Sequence, residues 1–254
     1  LALKKRTKIT PATIGYLSSL GITEVAVYKK PSIAIITTGN ELVEPGNDLQ
    51  HGKIYESNSK MLHCALFNLG YNTVSVYKIE DNYEATYSQL KQVIHNNDLV
   101  IVTGGISVGD YDFVGKALNE LNVEEIFYKV KQKPGKPLFF GKMEQTLIFA
   151  LPGNPAAALT CFYMYVYVAL NKLSGLNEST LHRLKAKSRT KFVKNGVRPQ
   201  FLKAIYQNGF VSILEGQSSA MLQTFALANA LVQIPEDLNH IEISDEVEVI
   251  LLPI

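Results

Sequence analysis

An α/β fold with a mostly parallel sheet, followed by a small all-β unit, is what this sequence predicts. Three observations carry that expectation. Strand-like and helix-like segments alternate as far as Gly175; the strands read as continuous apolar runs, as sheets covered on both faces require; and beyond Gly175 closely spaced turn signals replace helical periodicity. At 254 residues, 46% hydrophobic and 19% charged, the chain can bury a sizeable core as one large domain or two smaller ones.

The elements follow in order. Thr10 as a cap and Pro11 at the first helical position open a short helix that Gly21 stops. The β-branched run Ser32 to Thr37 is a strand emptying into Thr-Gly-Asn-Glu. Ser57 to Leu69 has helical spacing and ends at Gly70; Thr73 to Ile79 is a strand, Tyr83 to Ile94 a helix and Asp98 to Thr103 a strand. A turn and helix run from Ile106 to Leu121. Ile126 to Lys133, Leu138 to Phe140 and Thr146 to Ala150 are strands, and Pro155 to Leu173 is a helix. After a basic stretch, LHRLKAKSRTKF, turn signals at Asn195-Gly196, Asn208-Gly209 and Glu215-Gly216 punctuate short strands, and Glu246 to Leu252 shows period-2 character. The expected division is 1–30 as the tail of a preceding domain or linker, 31–175 as the α/β domain and 176–254 as the β domain.

Composition excludes several classes of function. A net charge of +2 is too near neutrality to wrap nucleic acid through bulk charge, so an anion site must be local. Cys64 and Cys161 stand in no metal or redox spacing and read as two buried thiols of a reducing compartment. The apolar run Ala156 to Leu170 is shorter than the roughly 20 residues of a bilayer span and reads as a core helix. No secretory signal opens the chain, and the start at Leu1 reads as internal to a longer protein. The five histidines, His51, His63, His95, His182 and His240, have no ligand spacing, and no Ser–His–acid signature is present.

Ligands of an open parallel sheet bind beyond the carboxyl ends of its strands, so the chemistry is sought there. Gly104, Gly105, Ser107 and Gly109 form either a phosphate-approaching loop or a tight structural turn. Asp110 and Asp112 either cap the following helix or, with Glu41 and Asp81 at other strand ends, ligate a hard cation. Lys129, Lys131 and Lys133 alternate along one expected strand and so share a face, with Lys136 held in a Pro-Gly-Lys-Pro turn. They are an exposed edge or an oxyanion site, and the stiffened turn favours the second. Arg198 before Pro199 suits a surface salt bridge as well as a ligand, Ser219 a turn cap, and Asn154 a loop anchor ahead of a helix beginning at Pro155.

The segments TTGNELVEPG, GKIYESNS, TGGISVGDYDFV, KQKPGKPL and LPGNPAAAL, in this order, with VRPQF and GQSSA further on, resemble the molybdopterin molybdenumtransferase family, MoeA and the E domain of gephyrin. The resemblance runs from about Thr10 to the end. It implies a three-layer, MogA-like molybdopterin-binding domain ahead of the β domain. The implied activity is transfer of molybdenum from molybdate into adenylylated molybdopterin, releasing AMP, with Mg²⁺ or another divalent cation, in the cytoplasm.

Carried over by motif, Glu41, Asp81 and Asp112 would be metal ligands and, with Lys129, Lys133 and Lys136, catalytic. Thr38, Gly39, Gly104, Gly105, Ser107, Asp110, Pro137, Asn154, Arg198 and Ser219 would bind the pterin nucleotide and oxyanion. The family usually has Asp, Ser and Arg where this chain has Asn40, Ala157 and Ala220. It also carries a further stretch before the segment matched here, contributing to a homodimer. The partners implied are the small-molecule substrates, a second copy, the preceding adenylyltransferase and molybdoenzymes, with no nucleic acid and no membrane. The alternatives are adenylylation of molybdopterin, or a non-catalytic binding or scaffold module.

Overall fold

The computed structural model describes residues 1–80, 82–106, 113–176 and 180–254. Six strands form the main sheet: β1 (Ile33–Thr38), β4 (Val74–Ile79), β5 (Leu99–Thr103), β6 (Glu124–Tyr128), β7 (Phe139–Met143) and β8 (Thr146–Leu151). Their order is β4-β1-β5-β8-β7-β6, parallel through β8 and antiparallel beyond it. Two short strands, β2 (Leu42–Val43) and β3 (Ile54–Tyr55), pair separately over the end of β1.

Every residue of β1 and β5 is buried, which is why those segments read as unbroken apolar runs. Alternate residues serve opposite faces. Ile33 and Ile35 pack under helices α2 (Asn58–Asn68) and α5 (Pro155–Leu173), whereas Ala34 and Ile36 pack under α3 (Tyr83–Asn96) and α4 (Phe113–Glu120). The result is the expected three layers. Helix α5 is long and apolar enough to cross a membrane by length and composition, but Phe162, Val166 and Leu170 are fully buried against the sheet. Ahead of the sheet, α1 (Pro11–Ser19) starts as expected, with the Thr10 hydroxyl accepting from the Thr13 N–H.

The C-terminal strands are β9 (Arg183–Ser188), β10 (Phe192–Val193), β11 (Gln200–Gln207), β12 (Phe210–Ile213), β13 (Ala230–Ile234), β14 (His240–Ile241) and β15 (Glu246–Leu251). Five of them close a barrel, β11-β12-β9-β15-β13, around Leu202, Ala204, Val211, Val232 and Val249. Asn208 (φ 50°) and Gly209 (φ 81°) make the tight turn between β11 and β12, both in the left-handed region that a two-residue hairpin demands. The short helix α6 (Leu222–Leu227), through Phe225, and barrel residues Leu231 and Ile250 continue the core formed by α2 and α5, so barrel and sheet share one packed interface.

Two expectations fail here. The strand expected from Ile126 to Lys133 ends at Tyr128, because Lys129 turns left-handed (φ 64°); its N–H bonds Leu138 O and the next N–H bonds Lys136 O. Lys129, Lys131 and Lys133 therefore do not share a strand face. Cys64 is exposed on α2 rather than buried, whereas Cys161 is buried as expected, its thiol pushed up to about 12 by burial.

Candidate active site

Sheet register builds the floor of the site. Thr37 stands opposite Thr103 and Thr103 opposite Leu151, so the chain leaves β1, β5 and β8 at one level, into three loops that converge. Above them lies a cleft of about 1110 Å³, lined by these loops, the Pro-Gly-Lys-Pro turn, and Arg198 and the Gln217 to Ala220 stretch of the barrel. Of the residues expected from sequence, Thr38, Glu41, Gly104, Lys133, Lys136, Pro137, Asn154, Arg198 and Ser219 line it together.

Two of the expected glycines lie just behind that lining. Gly39 sits beneath the Glu41 carboxylate, whose oxygens are 2.7 Å from where a Cβ would be, and Gly105 packs on Thr38 and Val114. Gly104 (φ 87°) crosses β1 so closely that a Cβ would meet Thr38 O at 2.3 Å, so this crossing admits no side chain. Lys129 does not reach the cleft; its ammonium lies over the Tyr128 ring, 4.7 Å from the centroid. Lys131 is also turned away, paired with Glu236. Asp81, Ser107, Asp110 and Asp112 lie outside the described residues.

The Pro-Gly-Lys-Pro turn is anchored from below. The buried Gln132 donates from Nε2 to Gly135 O at 3.3 Å and toward the Cys161 Sγ at 3.6 Å, and it accepts at Oε1 from the Tyr165 hydroxyl, whose pKa burial pushes up to about 12. At Gly135 (φ 87°) a Cβ would lie 2.4 Å from the Cys161 sulfur, so the turn seats directly on α5. Lys133 and Lys136 stay exposed, and among the described residues neither has a carboxylate partner.

The barrel closes the other wall through polar contacts. Arg198 Nη1 donates to Gln132 O at 2.9 Å, while Lys133 N–H donates to Pro199 O and Phe201 N–H to Lys133 O, both at 2.9 Å. Arg198 thus engages a carbonyl rather than a surface carboxylate. Asn154 sits at the N-cap of α5 without a side-chain cap bond; its Nδ2 donates 3.0 Å to the Ser219 hydroxyl, and Ala157 N–H donates 3.0 Å to Ser219 O. The serine is therefore a joint between domains rather than a turn cap. The N-terminal end of α5, with its partial positive charge, faces the same cleft.

Sequence reasoning missed Glu56, Asn58, Thr103 and Gln217. Glu56, 2% exposed, takes the capping role at α2 that Ser57 leaves open, accepting 2.8 Å from Ser59 N–H and 2.5 Å from its hydroxyl. Asn58 ties two strand ends together, donating to Thr103 Oγ1 at 2.7 Å and to Gly153 O at 2.8 Å. Both lie in GKIYESNS, at the start of a helix, where a capping residue is the signal to look for.

Chemically, the lining of the cleft includes two lysines, an arginine, a serine hydroxyl and a helix N-terminus, a set suited to an oxyanion or phosphate. For a divalent cation the case differs. Among the described residues no three His, Cys, Asp or Glu side chains cluster, and Glu41 is the single described member of the expected ligand set. The described residues do not by themselves make a site for Mg²⁺.

Comparison with known proteins identifies the family. Residues 34–172 match the family of the probable molybdopterin binding domain, and residues 185–252 match the MoeA C-terminal region (domain IV). A molybdopterin molybdenumtransferase of Staphylococcus epidermidis is 33% identical over 256 aligned residues, covering 99% of this chain and 61% of the relative. One from Haemophilus influenzae is 39% identical over 182, covering 69% and 43%. The molybdopterin biosynthesis MoeA protein of Pyrococcus horikosii superposes with a TM-score of 0.82 at 30% identity, over 98% of this chain and 61% of that one. The chain thus spans about three-fifths of the length of its Staphylococcus relative. With a matched stretch covering more than half its length, this chain belongs to the molybdopterin-binding domain family, of the MoeA type.

Proposed function

We propose that the cleft carries out molybdenum insertion, taking molybdate and adenylylated molybdopterin and releasing AMP. The observation that carries this reading is the meeting of Lys133 and Lys136 with Arg198 and Ser219, two from the α/β layer and two from the barrel, on one cleft. Molybdate is a tetrahedral dianion, and such a guest calls for fixed cations and donors from several directions. Lys133, Lys136 and Arg198 would hold the oxyanion and Ser219 would donate to it. Thr38, Gly104, Pro137 and Asn154 would shape the bed of the pterin nucleotide, with Gly39 and Gly105 behind it. Charge at the lysine end would also stabilise the phosphate on which AMP departs.

Supply of the barrel wall supports insertion over adenylylation of molybdopterin. The division into 1–30, 31–175 and 176–254 is proposed with it, on the separate closure of sheet and barrel. So are a homodimer, contacts with the preceding adenylyltransferase and with molybdoenzymes, and action in the cytoplasm, which two free thiols suit. Dependence on Mg²⁺ is tested by chelation. The deciding experiment is molybdate-dependent release of AMP from adenylylated molybdopterin: turnover that consumes ATP instead supports adenylylation, and binding without turnover supports a silent module.

A further inference from the structure

Strand β11 breaks its own alternation at Lys203. Leu202 and Ala204 point into the barrel core, and Lys203 points to the opposite side, yet it is 4% exposed because the loop after Ile213 folds over it. Its ammonium donates to three carbonyls of that loop: Gly216 O at 2.8 Å, Ser218 O at 3.1 Å and Met221 O at 3.2 Å. Gln217 staples the same loop to the strand, accepting from Lys203 N–H at 2.9 Å and donating to Lys203 O at 2.9 Å and Leu214 O at 2.7 Å. Burial lowers the pKa of Lys203, with no carboxylate among the described residues to offset it. A lysine placed so is costly to the barrel, and an apolar side chain of its length would bury more easily. What it organises is the Gln217 to Ala220 stretch, which lines the cleft.

We infer that Lys203 is a positioning residue for the oxyanion end of the cleft. Its ammonium gathers the loop carbonyls to one point and thereby fixes Ser219 where Asn154 and Ala157 meet it. This rests on reading the cleft as an oxyanion site, and the test separates the two.

Molybdate is titrated calorimetrically into the unaltered protein and into Lys136→Ala, Lys203→Met and Lys203→Arg, with the thermal midpoint of each recorded. If the unaltered protein binds no molybdate, or Lys136→Ala binds it equally well, the oxyanion reading fails and the inference falls with it. With that reading intact, Lys203→Met is expected to bind about tenfold more weakly, the loss of a charge-assisted set of hydrogen bonds. Lys203→Arg, which keeps the charge and the donors, is expected to bind within about threefold of the unaltered protein even where its midpoint falls with that of Lys203→Met. Full affinity in Lys203→Met overturns the inference, as does Lys203→Arg binding as weakly as Lys203→Met. Should Lys203→Met not fold, Lys203→Arg decides on the same threshold.

Discussion

Two basic stretches of similar length, Lys129 to Lys136 and Arg183 to Lys191, meet opposite fates. The second lies largely along β9, antiparallel to β15, and is zipped to acids: Arg183 to Glu248, Lys185 to Glu246 and, beyond the strand, Lys191 to Glu242. Its remaining arginine, Arg189, lies over the Phe210 ring, 4.6 Å from the centroid. The first loses its strand at Lys129, spends Lys129 on Tyr128 and Lys131 on Glu236, and delivers Lys133 and Lys136 to the cleft. A run of lysines thus says little about function until the register of its neighbours is known. Carboxylates pair with Arg183, Lys185 and Lys191 of one stretch, whereas a stiff turn seated on α5 holds Lys133 and Lys136 of the other without a carboxylate partner among the described residues.

The largest effect that breaks this contrast is on anion binding. Replacing Lys133 and Lys136 together by Ala should weaken molybdate binding by about a hundredfold or more, the scale of two lost charge-assisted contacts, while Lys185→Ala with Lys191→Ala should leave it within about twofold. Calorimetric titration reads both, and equal losses in the two pairs would erase the distinction.

Next comes the seat of the turn. Gly135→Ala places a methyl 2.4 Å from the Cys161 sulfur at φ 87°, whereas Gly209→Ala meets nothing within 4 Å at φ 81°. Backbone strain alone costs each about 1–2 kcal/mol, and Gly135→Ala should lose more than Gly209→Ala in urea unfolding because the helix beneath must shift. Only Gly135→Ala should also weaken molybdate binding.

The smallest effect lies in the zipped stretch. The hydrogen bond and charge of Glu242 raise the pKa of Lys191, and those of Glu246 raise that of Lys185. Their contribution is complete below the ordinary lysine value of about 10.4 and is lost as pH climbs through the raised one. The thermal midpoint should therefore begin to fall above that pH, and Lys185→Gln with Lys191→Gln should flatten the fall.

The fold was legible where burial is two-sided. Ile33 to Thr38 and Leu99 to Thr103 are apolar because helices cover both faces, and Asn208-Gly209 declares its hairpin because few other pairs accept two positive φ angles. Much of the cleft was legible for the same reason, since strand ends in a parallel sheet share one edge. The end of β6 was not, because nothing in Tyr128-Lys129-Val130 announces a left-handed lysine. Nor were the joints between distant segments: Arg198 with Gln132 and Asn154 with Ser219 exist only once the barrel docks on the sheet, and Lys203 with its loop only once that loop folds over β11.

The most direct measurement is a crystal structure of this chain with molybdate, the molybdenum located by its anomalous scattering. The account predicts a single strong site, its oxygens within hydrogen-bonding reach of Lys136, Arg198 and the Ser219 hydroxyl. Molybdenum bound along Arg183 to Lys191, or elsewhere with those three residues empty, would contradict it.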